Sequence, residues 1–162
     1  MHLRAANPQD IDLIVAMIHE LAAFEQLAQE CKADADSMRE HLFGPHPRAE
    51  VVIAEVQGAA AGFALFFHNF STFVCKPGLY LEDLFVRPAF RGHGIGKALM
   101  VHLAQIAVAR GCGRFEWWVL DWNQPAIDFY RRLGAEAMSE WTVQRVNGAA
   151  LERLANSGTM AT

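Results

Sequence analysis

The chain has 162 residues, 52% of them hydrophobic and 20% charged, and carries a formal net charge of −4. That is the profile of one globular domain with its own core, which excludes a disordered or fibrous chain. The acidic balance argues against nucleic acid as a partner, since phosphate binding needs a basic face, and favours a small cation.

His2–Ala6 reads as a strand, after which Asn7 caps a helix with Pro8 in its first turn. Ile11, Ile14, Val15, Ile18, Leu21 and Ala22 keep a helical period to about Glu25. A second helix, Ala33–Phe43, stops at Gly44-Pro45. Glu50–Val56 and Ala60–His68 are apolar strands around the hairpin turn at Gln57-Gly58-Ala59. A loop through Lys76-Pro77-Gly78 leads to the strand Leu79–Val86, which Arg87-Pro88 ends. A glycine turn, Arg91-Gly92-His93-Gly94-Ile95-Gly96, opens an amphipathic helix, Lys97–Arg110. Arg114–Leu120 is a strand, Asn123 and Pro125 start a helix ending near Leu133, and Gly134 caps it. Glu136–Val146 reads as one or two strands and Ala149–Ala155 as a last helix. The pattern predicts an α/β fold, a mixed sheet with helices on both faces, in a single domain over 1–156 with a flexible tail at 157–162.

Cys31, Cys75 and Cys112 are widely spaced and odd in number, so they offer neither a disulfide framework nor a paired metal motif. The seven histidines are scattered, and no metal is expected. The apolar run Ala59–Phe67 is too short to span a bilayer, and no signal peptide is visible at the N-terminus. The expectation is a cytoplasmic protein with reduced thiols and no membrane partner.

The glycine turn offers an anion site. Glycines let the main chain approach a ligand, and the free N–H groups of a helix start favour a pyrophosphate. It is not a P-loop, because Ala98 follows Lys97 where Ser or Thr is needed. The dinucleotide fingerprint fails too, with Lys97 or Leu99 at the third glycine position.

Arg-x-x-Gly-x-Gly at a strand-to-helix junction resembles the acetyl-coenzyme A loop of the GNAT N-acetyltransferase superfamily. Tyr80–Val86 before it, Trp122–Tyr130 after it and Glu20–Glu25 near the start resemble the diamine (spermidine/spermine) acetyltransferase branch. The resemblance implies the GNAT fold, a mixed and mostly antiparallel sheet, and a homodimer. It implies acetyl-CoA as co-substrate, held by Leu84, Phe85 and Val86, by Arg91, Gly92, His93, Gly94, Ile95, Gly96 and Lys97, and by Asn123, Gln124, Pro125, Ala126 and Tyr130.

Glu82 and Asp83 interrupt an apolar strand, and strict alternation would point them to opposite faces. Buried carboxylates need partners, either a base in the fold or a cationic substrate. A primary amine has a pKa near 10.4, so deprotonation at neutral pH costs about 4.6 kcal/mol, and a carboxylate that accepts the proton lowers that barrier. By resemblance Glu82 is the base, and Phe24, Glu25, Glu82, Asp83, Glu116, Trp117, Trp118 and Glu140 contact the amine. Tyr130 is implied to protonate the departing thiolate. The reaction expected is direct acetylation of a small primary amine such as spermidine or putrescine. The alternatives are a lysine or thialysine-like amino acid, with Arg131, Arg132 or Arg145 as candidates for its carboxylate, or a non-catalytic module that senses acyl-CoA.

Overall fold

The computed structural model describes residues 1–158; the end of the predicted tail, 159–162, lies outside the described residues. The chain divides into two units, Met1–Trp118 and Val119 onward. The first contains β1 (His2–Ala5), α1 (Ile11–Phe24), α2 (Ala35–Phe43), β2 (Glu50–Val56), β3 (Ala59–Ser71), β4 (Lys76–Val86), α3 (Ile95–Ala109) and β5 (Arg114–Trp117). The second contains α4 (Gln124–Arg132) and α5 (Gly148–Asn156).

The five strands form one sheet in chain order. Neighbours pair antiparallel from β1 to β4, and β5 joins β4 in parallel. Strand periodicity sorts the apolar residues onto two faces. Ile11, Ile14, Met17 and Leu21 of α1 and Leu42 of α2 bury against Val51, Ile53, Phe63, Leu65 and Phe85. The other face meets α3, whose Ile95, Leu99, Met100, Leu103 and Ala107 are buried. The mixed sheet with helices on both faces is therefore as expected from the sequence.

Two polar clamps fix α1. Arg4 donates to both carboxylate oxygens of Asp10 at 2.7 and 2.8 Å, and Asp10 also accepts the Asn7 N–H at 2.8 Å, which completes the cap ahead of α1. The Arg4 guanidinium holds the Asp10 carboxyl below its usual range. At the other end Arg87 donates to Glu20 through Nε and Nη2, at 2.9 and 2.7 Å, and to the Ala60 carbonyl at 3.0 Å. That ties the last turns of α1 to the ends of β3 and β4.

The four largest differences from the expectation lie in the strands. β4 starts at Lys76 and not Leu79, because Pro77 sits near the strand start, where a missing N–H is tolerated. Its partner β3 runs on to Ser71. β5 ends at Trp117, three residues before Leu120. Residues 136–146 form no strand: Trp141, Val143 and Val146 are exposed, and alternation without a paired neighbour does not make a ladder.

Candidate active site

The β4 register carries the key local feature. Leu65 of β3 faces Asp83 but Phe66 faces Leu81, so Glu82 is an extra residue, a β-bulge. A bulge breaks strict alternation. Leu81 lies opposite Phe66, whereas Asp83 lies opposite Leu65, which packs with α1. Strict alternation therefore fails between Leu81 and Asp83, on either side of the exposed Glu82. The two carboxylates are close enough for the Glu82 charge to act on Asp83.

Asp83 joins Glu25, Glu30 and Cys31 in lining a cavity of about 210 Å³, walled by Ile18, Leu21, Ala22 and Leu27. Burial, then the charges of Glu82 and Glu25, pushes the Asp83 carboxyl up to about 7. Burial also raises Glu25. Glu82 itself is exposed on the bulge. No basic residue lines this cavity, so its acids have no counter-charge among the lining residues.

The cavity owes its far wall to how α1 ends. Gln26 adopts φ 63°, the Leu27 N–H donates to the Ala22 carbonyl at 2.8 Å, and the Gln26 N–H to Ala23 at 3.2 Å. This is a Schellman turn, and it swings Leu27 and Glu30 back toward Asp83. A non-glycine residue at the left-handed position is strained. Gln26→Gly is expected to stabilise the fold by about 0.5–1 kcal/mol. A higher urea midpoint with an unchanged slope is the check; a lower midpoint contradicts the assigned turn.

Beside the acids, β4 has no strand partner on its β5 side. Its ladder with β5 stops at Leu81–Trp117, while β4 continues to Val86. The Arg87 N–H points to Ala61 of β3, so by alternation the main-chain groups of Leu84 and Val86 face the unpaired edge. Extended amide groups of a ligand can complete that edge.

The glycine turn follows. Gly92 and Gly94 have φ 80° and 77°, and Gly94 is the N-cap of α3. A Cβ at either glycine would meet nothing within 4 Å, so the dihedral, more than steric room, requires glycine here. No side chain caps α3, and its first turn holds no acid. The first bond inside the helix runs from the Ala98 N–H to Gly94, which leaves the N–H groups of Ile95, Gly96 and Lys97 for an anion. These features fit the pyrophosphate and amide arm of coenzyme A. The His93 Nδ1–H donates to the Phe90 carbonyl at 3.3 Å.

Arg91 contacts β4 and α1. Its Nε donates to the Val86 carbonyl at 2.9 Å, and its guanidinium stacks 4.6 Å from the Phe24 ring centroid and 5.8 Å from Phe85. Glu116 is already engaged, by Arg114 at 2.7 Å and Asn69 Nδ2 at 3.2 Å. Trp118 meets Tyr80 edge-on at 5.9 Å, and Tyr80 meets Phe67 at 5.0 Å, whereas Trp117 packs on Phe115 at 4.9 Å.

In the second unit the Asn123 side chain accepts the Ala126 N–H at 3.3 Å, and Pro125 lies in the first turn of α4. Gln124 bonds Asp128 at 2.7 Å. Tyr130 is partly buried with its ring 5.2 Å from Phe129. Gly134, at φ 92°, closes the helix while the Ala135 N–H donates to the Tyr130 carbonyl at 3.1 Å, as the glycine cap predicted. Glu140 is exposed in the irregular stretch.

The first unit thus unites Phe24, Glu25, Glu82, Asp83, Leu84–Val86 and Arg91–Lys97. Sequence reasoning missed Leu27, Glu30 and Cys31, which follow the end of the helical period. A larger cavity of about 690 Å³, lined by Val52, Phe66, His102 and Ile106 among others, shares no residue with the acid cavity. Its one acid, Glu50, is paired with Arg110. Among the described residues no cluster of His, Cys, Asp and Glu is arranged to hold a metal ion, and no helix is long and apolar enough to cross a membrane.

Comparison with known proteins places the chain in a family. A thialysine N-ε-acetyltransferase of Sus scrofa is 35% identical, covering 94% of this chain and 96% of that protein. An L-ornithine N5-acetyltransferase of Arabidopsis thaliana is 31% identical, covering 94% of this chain and 86% of that protein. An integron cassette protein from the mobile metagenome of V. cholerae superposes with a TM-score of 0.79 at 29% identity, over 95% of this chain and 96% of that one. The profile of the acetyltransferase (GNAT) family matches residues 15–135, and the chain belongs to that family of acetyl-CoA-dependent enzymes.

Proposed function

We propose that the enzyme moves the acetyl group of acetyl-CoA to the side-chain amine of a small basic amino acid of the lysine or thialysine type. The observation that carries this reading is the cavity of about 210 Å³ with Glu25, Glu30 and Asp83 in its wall and no base among them. Its volume lies below the ~300–1,000 Å³ of pockets that enclose drug-sized ligands, and one alkylammonium arm suits it better than a long polyamine. The relatives named above, which act on thialysine and ornithine, support an amino-acid acceptor over the diamine branch.

Acetyl-CoA supplies a thioester whose carbonyl carbon an unprotonated amine attacks. The main-chain groups of Leu84 and Val86 and the N–H groups at the start of α3 hold the donor. Asp83 anchors the incoming ammonium. Glu82, exposed to water on the bulge, accepts its proton directly or through water. N–H groups on the unpaired edge of β4 stabilise the oxyanion, and Tyr130 supplies a proton to the leaving sulfur.

A diamine is the second reading, favoured by the presence of three acids where one ammonium needs one partner. Thiol release with thialysine, lysine, ornithine, putrescine and spermidine separates the two. The basic amino acids are expected to lead in kcat/KM by at least about tenfold, some 1.4 kcal/mol of transition-state binding. Putrescine or spermidine in front selects the diamine reading. No release with any amine selects the acyl-CoA sensor.

A further inference from the structure

Arg91 occupies a position with two costs. Its Nε takes the Val86 carbonyl, one of the main-chain groups on the unpaired edge of β4. Its guanidinium covers the face of Phe24, the residue before Glu25 of the acid cavity. The side chain is exposed, so little besides these two contacts and the more distant Phe85 ring holds it. The anion site offered by Ile95, Gly96 and Lys97 begins four residues further on, within reach of a long, flexible arginine side chain.

We infer that Arg91 is a placeholder cation: it lies on Phe24 in the free enzyme, moves to the pyrophosphate when coenzyme A binds, and leaves the ring face to the substrate ammonium. Three physical points support the exchange. A guanidinium on a solvent-accessible ring is held weakly, and Phe24 is 41% exposed. A bidentate bond to phosphate is stronger than one bond to a carbonyl. The vacated ring and the carboxylates of Glu25 and Asp83 then suit one alkylammonium, whereas a guanidinium on the ring repels it. Arg91 and Phe24 are accordingly positioning residues that couple the two substrates. Linkage makes the coupling reciprocal, so coenzyme A tightens amine binding by the factor by which the amine tightens coenzyme A.

The amine half of this inference rests on the proposed function; the cofactor half does not. Titration calorimetry of the full chain with coenzyme A, which carries no acetyl group and cannot turn over, reads the cofactor half. Phe24→Leu removes the ring and releases Arg91, so coenzyme A is expected to bind about two- to fivefold tighter, the size of an exposed cation–π contact. In an Arg91→Gln background the same Phe24→Leu change is expected to have no effect. An unchanged affinity in Phe24→Leu, or an equal gain in both backgrounds, overturns the exchange.

Thialysine titrated with and without saturating coenzyme A reads the amine half. Wild type is expected to gain at least about fivefold from coenzyme A, and Arg91→Gln less than about twofold. An equal gain in both proteins overturns the placeholder role. A Phe24/Arg91 cycle that behaves as expected while no amine binds supports the Arg91 exchange and counts against the proposed acceptor instead.

Discussion

Asp83→Asn is expected to lower kcat/KM by about a hundredfold or more while making the free protein more stable at pH 8. The first effect follows from leaving a substrate ammonium without its buried counter-charge, a loss of roughly 2–5 kcal/mol, and each 1.4 kcal/mol is tenfold. The second follows from the sign of the shift. Asp83 titrates at about 7 in the fold against 3.8 for a free side chain. Between those values the folded state binds the extra proton, so stability falls as pH rises from about 4 to about 7. Asparagine carries no such cost. The variant should therefore exceed wild type by up to a few kcal/mol at pH 8, and the gap should close as pH falls toward 4. Thermal unfolding across that range checks it; a variant less stable than wild type at pH 8 contradicts the assigned environment. The same group sets a kinetic limb. kcat/KM should rise through about pH 7 as Asp83 ionises. Glu82→Gln removes one of the charges that raises Asp83, so the limb should move to lower pH as the rate falls.

Tyr130→Phe is expected to bind acetyl-CoA within about twofold of wild type and to lose about 10²–10⁴ in kcat, the span ascribed to one general acid. The ring is retained, so the packing against Phe129 survives. The change removes the hydroxyl, the proposed proton source. Calorimetry with acetyl-CoA and thiol release with thialysine measure the two quantities separately. A rate within threefold or so of wild type removes Tyr130 from the reaction, and a lost affinity reassigns it to cofactor binding.

Most of the fold was legible because its elements announce themselves locally. The period of Ile11 to Leu21, the cap at Asn7, the strand Glu50–Val56 and the cap at Gly134 rest on interactions within a few residues. The glycine turn was legible too, though the physical need proved to be the positive φ of Gly92 and Gly94. The bulge at Glu82 was not, since one extra residue in a ladder depends on the partner strand and leaves no pattern in the strand itself. It breaks the alternation between Leu81 and Asp83, on either side of the exposed Glu82. Nor was the return of Glu30 and Cys31 onto Asp83, because the turn depends on a glutamine at φ 63° where a sequence reading looks for glycine. Arg91 is a third case, in which the contacts of the ligand-free chain were not legible. Its charge suggested phosphate, but its place in the free chain is set by two aromatic rings and a carbonyl from separate elements. The strand expected at 136–146 failed for want of a pairing neighbour, a tertiary fact that alternation cannot supply.

Fragmentation mass spectrometry of the product formed from thialysine and acetyl-CoA tests the central claim most directly. The carboxylate cavity is held to receive the side-chain ammonium, so the acetyl group is predicted on the terminal side-chain nitrogen. Acetyl on the α-nitrogen, or no acetylated product from pure folded enzyme, contradicts it.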